Sequence, residues 1–342
     1  MSESIIEIDD LNLTRKDFVP GNEVRWCPGC GDYSVLANMQ KTLPIMGVKK
    51  ENYAFISGIG CSSRFPYYMD TYGFHSIHGR APAIASGVKL ANPDLAVWVI
   101  TGDGDGFSIG GNHMIHALRR NIDMNIMLFN NRIYGLTKGQ YSPTSLLGKK
   151  TKSSPFGSVD RPFNPSAIAL GANATFISRA LDVDAKGLQE SIKRAQRHKG
   201  ASFIEVYQNC IIFNDGEFED VENKASRPDN ALFVVHGEPM IFGKDSDKGI
   251  IMNDHHPKVV TLGKDWTEKD LLVHDETNSI ITNLLLEMTF DPTNPTPFGI
   301  LRAVEAPTYD DMLVAQIKEI TEIRGEGTLE NLFYSGDVWE VK

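Results

Sequence analysis

Basic charge, cysteine and long apolar runs are all in short supply in this chain, and each scarcity removes a class of function. Lys and Arg number 34 against 44 Asp and Glu, for a formal net charge of -10. A nucleic-acid footprint needs a basic face, so no nucleic-acid partner is expected. No run of about 18 apolar residues occurs to span a bilayer, and the opening MSESIIEIDD is acidic where a signal peptide would be basic. A cytoplasmic protein with no membrane partner is expected. Internal repeats and low-complexity tracts are lacking too. What remains is an ordinary globular composition, 41% hydrophobic, enough for a sizeable core in one large or two ordinary domains.

The stretch from Asp94 to Lys138 organises the rest. Its apolar run Leu95 to Ile100 is short and rich in Val, Ile and Trp, which predicts a buried parallel strand. The strand stops at Gly102. Gly102, Gly104 and Gly106 let backbone approach a ligand closely, and Asp103 and Asp105 place carboxylates where a hard cation can sit. A helix from about Ser108 to Arg120 should follow, its N-terminus suited to an anionic phosphate. A second strand, Asn125 to Asn130, then returns parallel to the first, and a right-handed βαβ crossover brings Asp103 and Asn131 to one edge of the sheet. The pair G-D-G and N-N, here Gly102, Asp103, Gly104 and Asn130, Asn131, resembles the thiamin diphosphate motif. That resemblance implies Mg2+ held by Asp103, the Asn131 side chain and the Ile133 carbonyl, bridging the cofactor's diphosphate.

The four cysteines are Cys27, Cys30, Cys61 and Cys210. The first two form W-C-P-G-C-G, whose spacing turns both thiolates toward one centre. A redox dithiol, a zinc site and an iron-sulfur cluster compete for such a pair. A dithiol leaves Cys61 and Cys210 unexplained, and zinc modules normally bring a second close pair. Widely scattered third and fourth ligands suit a cluster in a preformed fold, with structural zinc as the rival.

Along the chain, a helix is expected from Asp32, with Asp32 as N-cap, Val35, Leu36, Met39 and Leu43 as its apolar stripe, and Pro44 and Gly47 as its stop. A strand near Tyr53 to Ile56 leads into S-G-I-G-C-S-S-R, placing Cys61 at the same kind of sheet edge as Asp103. Residues 134–144 are expected as a loop at that edge. Lys149, Lys150 and Lys152 form a charged stretch, read either as a solvated run or as a docking or coenzyme A phosphate surface. Helices over Asn164 to Gly171 and Asp184 to Arg197 flank a strand over Ala174 to Ser178. Ala201 to Tyr207 is expected as the last core strand, with Cys210 just past it, and a further helix is expected over Thr308 to Arg324. The fold class is therefore α/β, a parallel sheet with helices on both faces.

W-C-P-G-C-G, G-I-G-C-S, H-G-R-A at His78 to Ala81, G-D-G-D, N-N-x-I-Y-G-L-T-K-G-Q and a late lone Cys together resemble the beta subunit of 2-oxoacid:ferredoxin oxidoreductases, from about Val24 to Gly216. The resemblance implies a thiamin diphosphate-binding fold divided into an arm over 1–23, a cofactor- and cluster-binding domain over 24–216, and an extension over 217–342 that packs on the core or on a partner. It implies one 4Fe-4S cluster on Cys27, Cys30, Cys61 and Cys210, with no cysteine left for a disulfide. Ile59, Gly60, Cys61, Ser62, Gly135 and Leu136 are expected to line the cofactor with His78, and His113 to approach its diphosphate, while His116 reads as a helix-face residue. No H-E-x-x-H pattern accompanies His75, His78, His113 or His116.

The implied chemistry is decarboxylation of a 2-oxoacid on thiamin diphosphate, transfer of two electrons through the cluster to ferredoxin, and acyl transfer to coenzyme A. The pyrimidine-domain Glu that thiamin enzymes use is not found in this chain, so an alpha subunit should supply it, in an αβ or (αβ)2 assembly. Arg64 and Lys138 are expected as the substrate-facing cations. A second, distal carboxylate calls for such a cation, so 2-oxoglutarate, oxidised to succinyl-CoA and CO2, is the expected substrate, with pyruvate or a broad range of 2-oxoacids as the alternative. A non-redox thiamin decarboxylase with a structural zinc is the more distant one.

Overall fold

A computed structural model describes residues 12–341; residues 1–11 of the expected arm lie outside the described residues. The strands are β1 (Tyr53–Ser57), β2 (Tyr72–His75), β3 (Ala96–Gly102), β4 (Asn125–Asn130), β5 (Phe176–Leu181), β6 (Ser202–Tyr207), β7 (Ala231–Val234), β8 (Ile241–Phe242), β9 (Lys248–Asn253), β10 (His256–Thr261) and β11 (Thr296–Ala303). The helices are α1 (Asp32–Thr42), α2 (Ala81–Ala91), α3 (Gly111–Arg119), α4 (Pro165–Gly171), α5 (Ala185–Arg197), α6 (Glu219–Glu222), α7 (Arg227–Asn230), α8 (Ser279–Glu287), α9 (Tyr309–Arg324) and α10 (Leu329–Phe333). One eight-stranded sheet runs in the order β2-β1-β3-β4-β6-β5-β11-β7, and β10-β9-β8 form a small antiparallel sheet.

The central strands are buried on both faces because successive side chains point to opposite sides. Val97 and Val99 of β3 and Ile126 and Leu128 of β4 pack with α2, α3, α4 and α8, through residues such as Ala85, Met114, Ala169 and Leu285. Trp98, Ile100, Met127 and Phe129 pack on the other face with Val35 and Met39 of α1 and Leu188 and Ile192 of α5. Each such fully buried large apolar side chain contributes about 1.5–3 kcal/mol. The sheet is thus sandwiched between helices, and β1, β3, β4 and β6 run parallel. Their C-terminal ends share one edge, where the loops after each of them meet.

Several sequence expectations need correction. Asp32 is the first helical residue of α1 and Gly31, already helical at φ -60 and ψ -22, is its N-cap. The helix grows directly out of the cysteine turn, in which Cys30 N donates to Cys27 O and Tyr33 N to Cys30 O. As expected, the α-helix stops at Thr42, just before Pro44; a 3-10 turn, Leu43–Met46, then accommodates the proline in its first turn, and Gly47 at φ 71 closes the segment. A π-helical turn, Asp105–Ile109, precedes α3.

The larger correction concerns the chain after Gly216. Ser202–Tyr207 is not the last core strand, because β11 pairs antiparallel with β5 and β7 pairs parallel with β11 in the same sheet. The segment over 217–342 therefore completes the sheet that a boundary at 216 would cut. Pro297 and Gly299 disguised β11, since both discourage a strand; here Pro297 lies near its start and the register shifts between Ile300 and Arg302. Beyond β11, Thr308 caps α9 by accepting from Asp311 N. Asp310 accepts from Asp123 N at 3.0 Å, anchoring that helix to the loop before β4.

Candidate active site

Two clefts open at the C-terminal edge of the parallel strands. The first is a space of about 140 Å³ lined by Ile59, Gly60, Cys61, Ser62, His78, Gly102, Asp103, Gly104, Asp105, Asn131, Ile133, Tyr134, Gly135, Leu136 and Thr137. Thirteen of the residues expected around the cofactor lie there, while Gly106 and His113 do not; Tyr134 and Thr137 are additions. The second, about 220 Å³, is lined by all four cysteines, with Arg25, Trp26, Asp32, Arg64, Asn131, Gly135, Leu136, Lys138, Gln208 and Ile211 to Phe213. Cys61, Asn131, Gly135 and Leu136 line both, so the clefts adjoin.

Asp103 is buried at the end of β3. Burial pushes its carboxyl up to about 6, against the donors Ser142 and Thr144, which favour the ionised form. Ser142 Oγ and Thr144 Oγ1 donate to Oδ2 at 2.5 and 2.6 Å. These hydroxyls fix the carboxylate's rotamer, and a cation beside it would offset the cost of burying its charge. The Y-S-P-T run at 141–144 carried this signal only as a polar loop; its two hydroxyls on either side of Pro143 were missed.

Asn130 and Asn131 differ in role. Asn130 Nδ2 donates to Glu205 Oε1 at 2.8 Å, and Glu205 is paired with Arg179 in the core. Asn131 faces the clefts: Nδ2 donates to Gln208 Oε1 at 2.9 Å, and Oδ1 accepts from Ile133 N at 3.2 Å. The turn after them is pinned by Arg132, in the left-handed region at φ 55, whose guanidinium lies 4.7 Å over the Phe218 ring and 3.3 Å from Glu217.

Asp105 does not present a free carboxylate. Oδ1 accepts from Ile59 N at 3.0 Å, Gly79 N at 2.7 Å and His78 Nδ1 at 2.6 Å, and Oδ2 accepts from Thr101 Oγ1 at 2.6 Å. Although expected among the cofactor contacts, it ties together the loops after β1, β2 and β3 and so places Ile59 and His78 in the cleft. His75 Nδ1 lies 2.8 Å from the Ser63 carbonyl, a structural contact. Neither His113 nor His116 is among the side chains lining the two clefts. Lys149 is withdrawn from the expected basic surface: it pairs with Glu217 at 2.8 Å and also donates to Asn214.

Arg64 and Lys138, expected against substrate, line the cysteine cleft and not the cofactor cleft, and Arg25 joins them there. All four thiols are free of disulfides. Burial pushes the Cys30 thiol far up and Cys61 up to about 12; it raises Cys210 as well. Burial thus holds these thiols neutral, and a thiolate here would need a positive group beside it. A Cβ built on Gly135 would stand 3.5 Å from Cys210 Sγ and 3.7 Å from Cys61 Sγ, so this glycine fills the gap between the clefts. A Cβ on Gly60, at φ 140, would meet open space, leaving that side of the cofactor cleft clear.

The chain is similar to 2-oxoglutarate oxidoreductase subunit KorB of Mycobacterium tuberculosis, at 51% identity over 95% of this chain and 88% of that protein. The chain belongs to the beta-subunit family of the 2-oxoacid:ferredoxin oxidoreductases. Another beta subunit of that family, from Saccharolobus solfataricus, is 45% identical over 56% of this chain and 63% of its own length. The thiamine pyrophosphate enzyme C-terminal TPP-binding domain matches residues 58–206, from the loop after β1 to the penultimate residue of β6. Among solved structures, 2-oxoglutarate:ferredoxin oxidoreductase from Magnetococcus marinus, determined with 2-oxoglutarate, coenzyme A and succinyl-CoA bound, superposes with a TM-score of 0.75. It is 33% identical, over 98% of this chain and 99% of that one. As a beta subunit of this family, the chain is part of an oxidoreductase that binds thiamin diphosphate.

Proposed function

We propose that this beta subunit, with an alpha subunit, oxidises 2-oxoglutarate with coenzyme A to succinyl-CoA and CO2 and delivers the two electrons through one 4Fe-4S cluster to ferredoxin. The observation that carries this reading is the shared wall of the two clefts: Cys61 and Gly135 separate the space that suits thiamin diphosphate from the space ringed by four thiols. Such adjacency suits one-electron transfer from cofactor to cluster.

Thiamin diphosphate supplies the electron sink for decarboxylation. Of this chain's own residues, Asp103, Asn131 and the Ile133 carbonyl would hold Mg2+, a hard-oxygen donor set. Gly102, Gly104 and Gly60 would admit the cofactor closely, and Asp105 would hold His78 toward it. Cys27, Cys30, Cys61 and Cys210 would ligate the cluster. The four thiols ring a space of about 220 Å³, which would suit a polynuclear group. Arg64 and Lys138, on the cysteine side of Leu136, would meet the distal carboxylate of 2-oxoglutarate, the acid named for two of the relatives. The alpha subunit would supply the pyrimidine-side Glu, in an αβ or (αβ)2 assembly. Among the described residues no helix is long and apolar enough to cross a membrane, in keeping with a cytoplasmic enzyme.

Anaerobically purified αβ enzyme should contain four irons per beta subunit, and stoichiometric zinc without iron would instead mark the non-redox decarboxylase. Asp103→Ala should abolish thiamin diphosphate binding in calorimetry, and unchanged affinity would remove Asp103 from the site. Arg64→Ala should lower kcat/KM for 2-oxoglutarate selectively, by a factor of about 30 or more for a buried charged contact; an equal loss with pyruvate would mean that Arg64 does not read the distal carboxylate.

A further inference from the structure

Gln208 stands one residue beyond β6, fully buried, and its backbone N–H extends the strand ladder by donating to Asn130 O at 3.0 Å. Its side chain lines the cysteine cleft and meets Asn131, which lines both clefts. Nε2 donates to the Asn209 carbonyl at 2.5 Å and lies 3.3 Å from Cys30 Sγ, while Oε1 accepts from Asn131 Nδ2 at 2.9 Å.

The direction of this chain is fixed by chemistry. A backbone carbonyl only accepts, so the atom of Gln208 facing Asn209 O must be the nitrogen. Its second hydrogen then points at Cys30 Sγ, and the oxygen is left for Asn131. Asn131 must therefore turn its own nitrogen toward Gln208, which leaves Oδ1 on the opposite side, where it accepts from Ile133 N. An inverted Asn131 amide would set oxygen against oxygen at Gln208 and present N–H groups where a cation is to be bound.

From this arrangement we infer that Gln208 is a positioning residue with two outputs: it orients the Asn131 amide so that its oxygen faces the cation site, and it donates an N–H···S bond that eases reduction of a cluster on Cys30. The inference rests on the cation and cluster reading proposed above. A hydrogen bond to a thiolate ligand offsets negative charge on sulfur, and an added electron increases that charge, so the bond favours the reduced state. Both effects pass through a buried primary amide, the neutral side chain that accepts with one atom and donates twice with the other.

The test uses the anaerobic αβ enzyme with Gln208→Leu, which keeps most of the volume and removes donor and acceptor. An EPR-monitored redox titration should show the midpoint shifted negative, with the reduced-to-oxidised ratio at the wild-type midpoint lowered roughly tenfold, as expected for loss of one charge-assisted hydrogen bond. Calorimetry should show Mg2+-dependent thiamin diphosphate affinity weakened by a similar factor. A midpoint and an affinity both unchanged, in a variant carrying four irons, overturn the inference. Wild-type enzyme without iron, or without Mg2+-dependent cofactor binding, would overturn the underlying reading instead. If the leucine variant fails to assemble, Gln208→Glu replaces it, keeping an acceptor for Asn131 in the same volume. The expected result is then a negative midpoint shift with cofactor affinity within twofold of wild type, and an unshifted midpoint overturns the inference.

Discussion

Replacing Asp105 with alanine removes one carboxylate that holds three loops at the cofactor cleft. Its Oδ1 receives the Ile59 and Gly79 amides and His78 Nδ1, and its Oδ2 receives the Thr101 hydroxyl, at 2.6 to 3.0 Å. A hydrogen bond to a charged group contributes about 1.5–3 kcal/mol, but four bonds to one group are not additive and the vacated space borders an open cleft that water can enter. A loss of about 3–5 kcal/mol is therefore expected for Asp105→Ala, in the range of breaking a buried charged contact. Asp105→Asn should cost only about 1–2 kcal/mol, because its remaining oxygen keeps the Ile59, Gly79 and His78 contacts and its amide nitrogen can donate to the Thr101 hydroxyl. Hydrogen exchange reads the effect locally: a 3 kcal/mol loss corresponds to exchange at Ile59 and Gly79 faster by about a hundredfold. Cofactor affinity should fall in the same order, alanine below asparagine below wild type. An alanine variant within about 1 kcal/mol of wild type, with Ile59 and Gly79 still protected, would refute the assignment of Asp105 as the tie between these loops.

Two further outcomes follow from buried charge. Glu205→Ala strands Arg179, which is fully buried and pairs with Glu205 at 3.0 Å; a loss of about 3–5 kcal/mol in urea denaturation is expected, largely recovered by an apolar replacement of both partners. Equal stability of the single and double variants would contradict this. Glu222 is pushed up to about 7 by burial and then by the charge of Asp182, and its Oε1 has no partner among the described residues. Its folded-state pKa is raised, so the folded protein binds the extra proton; this stabilisation is fully present below the ordinary pKa near 4.5 and is lost as pH rises through about 7. Glu222→Gln should therefore flatten the fall in urea midpoint between pH 4.5 and 7.5, and an unaltered slope would remove Glu222 as its source.

Local pattern alone determined the βαβ frame and which of its residues meet at one edge. The apolar run over Leu95 to Ile100, the glycines at 102 and 104, and the strand Asn125–Asn130 are set by short-range sterics and by the two-residue period of a buried strand, so Asp103 and Asn131 were legible as neighbours at one sheet edge. The other cleft-lining residues, among them Ile59, His78 and Leu136, were legible only through the resemblance of their motifs, and the glycine after β1 marks just one of the strand ends involved. Tertiary structure decided which polar atoms are free and which are committed. Asp103 and Asp105 look alike in G-D-G-D, yet only packing against Ile59, His78 and Gly79 turns Asp105 into an internal tie. Long-range pairing likewise carried β11 into the sheet beside β5 despite Pro297 and Gly299, because a neighbouring strand supplies what local propensity denies. Gln208 reaches Asn131 and Cys30 across separations of 77 and 178 residues. No spacing rule records such contacts; they exist because β4, β6 and the cysteine turn end at one edge of one sheet.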